Sequence, residues 1–270
     1  MSRVPLAGLV VAAVFAGTAT GGLPALTGTL AFGTGQYVFA VRADGSDGHA
    51  VVAGDYPAFS RSGDLAYTLN GIWVARNDGG SSRHIVPRFA EYLTYADPTW
   101  SPDGTHLAYI RVDNGHETSE LWVVRADGRA LHGLSIVHVA ETPAWSPDGK
   151  WIAYVGDGGL SEVLADGSGK RVLLHRDVAS PAWSPTGNRI AFEQQSGRRV
   201  ELWTYDLATH ALRIVERHRG SVGPLAWSPD GRWLAFAEGG EIRAVRVADG
   251  RELSITKSYV QRIDGLTWRR

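Results

Sequence analysis

One pattern recurs along this chain and dictates what it can become. The segments PAFSRSGDLAY from Pro57, PTWSPDGTHLAY from Pro98, PAWSPDGKWIAY from Pro143, PAWSPTGNRIAF from Pro181 and LAWSPDGRWLAF from Leu225 are copies of one unit, and LTWRR from Leu266 begins a sixth. Their aromatic anchors, Phe59, Trp100, Trp145, Trp183, Trp227 and Trp268, are spaced by 41, 45, 38, 44 and 41 residues. A second motif keeps the same period: VRADG from Val41 and Val124, VLADG from Val163, RVADG from Arg246, and the looser VARNDGG from Val74. A repeat of this length is one supersecondary unit that must bury its faces against its neighbours.

Each unit reads as four strands. The first carries the aromatic anchor. Ser-Pro-Asp-Gly then turns the chain, with serine at the first position of a type I turn, proline fixing φ at the second and glycine taking the left-handed position. The second strand alternates big, small, big (Leu-Ala-Tyr), which puts both large residues on one face. The third is typified by LWVVRAD, and Asp-Gly makes the next tight hairpin. A fourth, such as KRVLLH at 170–175, completes the unit. The spacing predicts an all-β protein, a six-bladed β-propeller of four-stranded antiparallel blades. The stretch TLAF at 29–32 is a second-strand motif without a clear first strand, and Leu266–Arg270 is a first strand without a second. Both ends are therefore expected to build the last blade together, with PALTG at 24–28 as a competing inner strand. All ten tryptophans fall on strands under this reading. Five are first-strand anchors. Trp151 and Trp233 lie on second strands, and Trp73, Trp122 and Trp203 on third strands.

The chain before the repeats has another character. Arg3 is followed by an apolar run from Leu6 to Ala16, then by small residues, and no charge appears again until Arg42. A basic start, a short apolar core and a small-residue exit make the secretory pattern. Residues 1–19 are read as a signal peptide or N-terminal anchor, 20–28 as a short linker, and 29–270 as the propeller. Export to the periplasm, cell envelope or exterior is the expectation. Retention by an uncleaved N-terminal segment is the alternative, and the only route to the membrane.

The repeat resembles that of the TolB-type propellers, also called WD-repeat-like. The match PAWSPDG followed by Ile/Leu-Ala-Tyr is literal at 143–154 and close at 98–109, 181–192 and 225–236. The unit at Pro57 departs, with Ser-Arg-Ser-Gly for its turn, and the unit at Pro181 has threonine for aspartate. The resemblance implies the fold and spans about 29–270. Its motif residues are scaffold residues, so it implies no catalytic residue. TolB itself carries an α/β domain before its propeller, whereas only the leader is read ahead of the blades here, so a Tol-Pal role is not expected.

Function must then be sought between the motifs. The SPDG and ADG hairpins share one face of a propeller. The second-to-third and fourth-to-first connections share the other, and they vary in length and sequence. Variable loops on a rigid scaffold are where binding concentrates. Arg88, Phe89, Tyr92 and Tyr95 form the richest cluster, joined by Arg217 and Arg219 and by Tyr259 and Arg262. Tyrosine and arginine are enriched at protein interfaces, and these eight are the candidate partner-binding residues. Asp97, His138, Glu141 and Asp264 are the candidate ligands if a divalent cation is held at the channel mouth. No other cofactor is implied. With 27 basic against 28 acidic residues there is no basic surplus for nucleic acid. Without cysteine there is no disulfide, thiolate metal site or cysteine nucleophile. No Gly-x-Ser-x-Gly elbow, P-loop or dinucleotide fingerprint is present. The sequence reads as an exported monomeric scaffold for a protein partner. A small exported hydrolase or lyase with its site at the mouth of the channel is the alternative.

Overall fold

The computed structural model describes residues 26–76, 82–139, 141–256 and 262–270, with the backbone alone at Arg76 and Glu141. The segments 1–19 and most of 20–28 lie outside these residues, as does Tyr259. The described residues hold twenty-four strands and no helix. They form six four-stranded antiparallel sheets. We number these as blades 1 (55–87), 2 (93–137), 3 (141–174), 4 (179–218), 5 (222–254) and 6. Blade 6 takes its innermost strand from Asp264–Arg269 and the other three from Thr29–Gly33, Tyr37–Arg42 and His49–Ala53. The pairing runs Thr29 to Arg269, Leu30 to Trp268 and Ala31 to Thr267. Residues 26–28 contribute no strand, although Leu26 packs on the blade 6 core and Thr27 O accepts the Trp268 indole N–H at 2.9 Å.

The big-small-big second strand works by splitting its residues between layers. Leu107 and Tyr109 pack into the cluster shared with blade 1, whereas Ala108 and Ile110 pack into the one shared with blade 3. The central alanine lets adjacent blades approach closely, and the flanking large residues fill the wedge that opens outward. First-strand tryptophans also tie neighbouring blades. Trp100 Nε1 donates to Ala58 O and Trp227 Nε1 to Ala182 O, both at 3.0 Å. Trp145 and Trp183 are placed alike, yet their indole nitrogens have no partner among the described residues.

The SPDG turn explains its own sequence. In blade 2, Gly104 N–H closes the turn on Ser101 O at 2.9 Å, with Gly104 at φ +71°. Ser101 Oγ donates to Asp103 Oδ1 at 2.6 Å and accepts from His106 N–H at 2.9 Å. The Ser101 hydroxyl, then the Thr105 N–H, hold the Asp103 carboxyl down to about 2. Where blade 4 has Thr186 for the aspartate, Asn188 Oδ1 accepts instead from both Ser184 Oγ and Thr186 Oγ1.

Candidate functional site

The six innermost strands surround a channel whose cavity measures about 290 Å³. Each of these strands pairs on one side only among the described residues, so its inner edge faces the channel. That exposed edge is why proline is tolerated in five of them, at Pro57, Pro98, Pro143, Pro181 and Pro224. Every inner strand also carries a bulge beside this position, one extra residue against its partner strand. The bulge residues Tyr56, Asp97, Ser180, Gly223 and Gly265 have φ between +48° and +129°. The strands thus bend at one level, where the channel meets the face of variable loops.

At that mouth, blades 6, 1 and 2 bring three carboxyl groups near one phenol. The Asp55 carboxyl lies against Gly33: a Cβ added there would fall 1.8 Å from Asp55 Oδ1 and 2.4 Å from Asp264 O. Burial, opposed by the Tyr56 backbone N–H and reinforced by the charge of Asp264, pushes the Asp55 carboxyl up to about 6. Burial, then the charges of Asp97, Asp264 and Asp55, push the Tyr56 phenol up to about 12. Asp264 is buried and ion-paired with exposed Arg262. Asp97 Oδ1 accepts from Thr142 Oγ1 at 3.0 Å across to blade 3. The structure therefore brings Asp97 and Asp264 to one mouth. His138 stands apart, exposed at φ +55° beside a hollow of about 310 Å³ that Asp157, Asp177 and Glu193 also line. The Glu141 side chain is outside the described residues. Among the described residues no three His, Asp or Glu side chains are placed to hold one metal ion.

The loop between blades 1 and 2 sorts its residues into two roles. The Arg88 guanidinium donates to the carbonyls of Ala90 and Leu93, each at 3.2 Å, and of Glu91. Tyr95 is buried, with its ring 5.9 Å from that of Tyr109 and its hydroxyl 3.4 Å from Pro87 O. Both hold the loop; Tyr95 is withdrawn from the surface, whereas Arg88 stays exposed. Phe89 and Tyr92 are what the loop presents, 63% and 52% exposed. Leu69, in the neighbouring second-to-third turn of blade 1, is also exposed and lines a groove with Arg88. On blade 4, Arg217 pairs with Glu201 at 2.9 Å and Arg219 is exposed.

Sequence reasoning missed two groups here. Asp55 and Tyr56 were passed over, although Asp55 occupies the same repeat position as Glu141 and Asp264. His218 stands out in the sequence only as part of a basic group with Arg217 and Arg219, and its burial was not foreseen. It is buried against Phe236, 3.2 Å from Glu238 and 3.8 Å from Glu252, and Arg243 bridges both carboxylates at 2.8 Å. The network links the end of blade 4 to three strands of blade 5 and is a structural clasp.

Neither a family model nor a curated protein sequence matches this chain. Solved structures do. TolB from Acinetobacter baumannii superposes with a TM-score of 0.78 at 17% identity, over 91% of this chain and 67% of that one. The chain has the TolB-type propeller fold. A chain of the nidogen/laminin complex matches with a TM-score of 0.72 at 14% identity, covering 90% of this chain and 99% of that one. An oligogalacturonate lyase from Vibrio parahaemolyticus matches with a TM-score of 0.59 at 13% identity, covering 81% and 70%. At such identities the likeness establishes architecture. The fold by itself assigns no function.

Proposed function

We propose that this chain is an exported TolB-type propeller that works as a monomeric, rigid platform for a protein partner, contacted through the channel-mouth face. The observation that carries the reading is the pair Phe89 and Tyr92. They are large exposed aromatics on a backbone already pinned by Arg88 and Tyr95. Aromatic anchors on a pre-ordered loop contribute binding energy with little ordering cost. Leu69 and the exposed Arg219 lie on the same face and extend the surface. Arg262 at the mouth adds charge beside it. Export rests on the basic-apolar-small pattern of residues 1–19. Thr29 and Arg269 both sit at the SPDG face. Whatever precedes Thr29 therefore leaves from the face opposite the mouth, and an uncleaved anchor would present the mouth outward.

The test is cross-linked capture from envelope extract, followed by titration of the purified partner. Phe89→Ala with Tyr92→Ala is expected to weaken the partner at least about tenfold with an unchanged melting curve. A partner held equally well by the double variant refutes the assignment of the face. Asp55 favours one second reading, a small exported hydrolase or lyase. A carboxyl held at about 6 beside Tyr56 is suited to proton transfer near neutral pH. Turnover in a substrate screen that is lost in Asp55→Asn, with a pH profile breaking near 6, would establish it.

A further inference from the structure

Superimposing the repeats on one another exposes a single discordant residue. The central alanine of each second strand faces one residue of the third strand. In blades 1, 2, 4, 5 and 6 that residue is Val74, Val123, Thr204, Ala244 and Ala40. In blade 3 it is Glu162, opposite Ala153. The position lies in the layer between blades, and Glu162 is 0% exposed. A carboxylate there opposes folding compared with the small uncharged side chains of its counterparts. Arg171, on the outermost strand Arg171–Leu174, satisfies only Oε1, through Nε and Nη2. Oε2 has no partner among the described residues.

Glu162 lines a cavity of about 860 Å³ between blades 3 and 4, beside their first hairpin turns. The size falls within the range of small-molecule sites, roughly 300–1,000 Å³. Its walls are aromatic. Trp151 carries the Arg171 guanidinium 4.5 Å above its ring, Trp183 lines the cavity from blade 4, and Tyr205 bonds His210 Nδ1 at 2.5 Å. Trp183 Nε1 is the second buried group here without a partner among the described residues. The unmet chemistry is thus one acceptor and one donor between aromatic surfaces, with the Glu162 charge already balanced by Arg171.

We propose that this inter-blade cavity is a binding site for a neutral saccharide. Hydroxyl groups both donate and accept, so a sugar ring can satisfy Glu162 Oε2 and Trp183 Nε1 together, and its C–H faces suit the indole walls. A cation answers Oε2 and leaves the indole unmet. An anion answers the indole and meets the Glu162 carboxylate. The Glu162–Arg171 pair is then the polar determinant that fixes the ring, retained at a cost in stability. The site is independent of the mouth face and of any partner bound there.

The test is titration calorimetry of the full chain with glucose, galactose, N-acetylglucosamine, maltose and cellobiose, each up to about 10 mM. Tetramethylammonium and acetate serve as charged comparators. At least one sugar is expected to bind. Glu162→Val, which installs the residue of blades 1 and 2, is expected to weaken it at least about tenfold while the Tm stays equal or rises by a few degrees. The exposed Arg171 remains solvated in that variant. Trp183→Phe keeps the ring, loses the donor and is expected to bind about tenfold more weakly. The proposal is overturned if no sugar binds, if a charged comparator binds in its place, or if both variants bind sugar as the parent does. It is also overturned if Glu162→Val lowers the Tm, which would make Glu162 a structural residue.

Discussion

Trp100 and Trp145 offer a controlled comparison, because they hold the same repeat position with the same burial, 8% and 9% exposed. They differ in one bond. Trp100 Nε1 donates to Ala58 O at 3.0 Å, and Trp145 Nε1 has no partner among the described residues. Replacing each by phenylalanine removes similar apolar volume from one inter-blade layer, at about 1–2 kcal/mol for lost burial and residual cavity. Trp145→Phe also removes a buried donor that gained nothing, so its cost should stay near the lower figure. Trp100→Phe loses a hydrogen bond worth about 0.5–1.5 kcal/mol and strands the buried carbonyl of Ala58. The gap between the variants should be about 1–2 kcal/mol, or roughly 4 °C in Tm for a chain of this size. The assay is urea unfolding of both variants beside the parent, with equal slopes confirming the same exposure of surface. Equal midpoints, or Trp145→Phe as the weaker protein, would refute the claim that these bonds stabilise the ring.

Other outcomes follow from the mouth. The folded-state value of Asp55, about 6, lies above its ordinary 3.8, so its ionised form opposes folding: stability is lost as pH rises through that interval. Asp55→Asn should match the parent near pH 4 and exceed it near pH 7 by on the order of 2 kcal/mol, read from melting curves across pH. Gly33→Ala should destabilise by about 1–3 kcal/mol, since the new methyl overlaps Asp264 O, a backbone atom that cannot turn aside. A thermal melt within 1 °C or so of the parent would refute that packing.

The ring was legible because its information is local and repeated. Turn chemistry at Ser101, Ser146 and Ser228, the big-small-big strands and the anchors at Trp100, Trp145 and Trp227 all agree at one period. The mouth was less legible, because its geometry depends on register. The bulge that sets Tyr56 and Asp97 at positive φ is a two-against-one pairing between strands, and no spacing along one strand reports it. Arg88 and Tyr95 show the same limit. Their composition suited an interface, but both side chains bond to their own loop, and Tyr95 is buried while Arg88 stays exposed with Phe89 and Tyr92. Glu162 was legible and overlooked. Aligning LWVVRAD with LSEVLAD shows a charge where the repeat wants valine, but only the ADG turn that follows drew notice.

The seam of blade 6 has a mechanical consequence. Thr29 and Arg269 are direct partners at one end of an antiparallel pair. A load applied between them acts across the strands, so it parts their hydrogen bonds one rung at a time. A load applied along the strands would strain every rung together. Tension drawn through both of these residues would therefore peel Asp264–Arg269 from Thr29–Gly33 at low force and open the circle from its inner strand outward. Held through one of them alone, the same propeller transmits force without loading its seam.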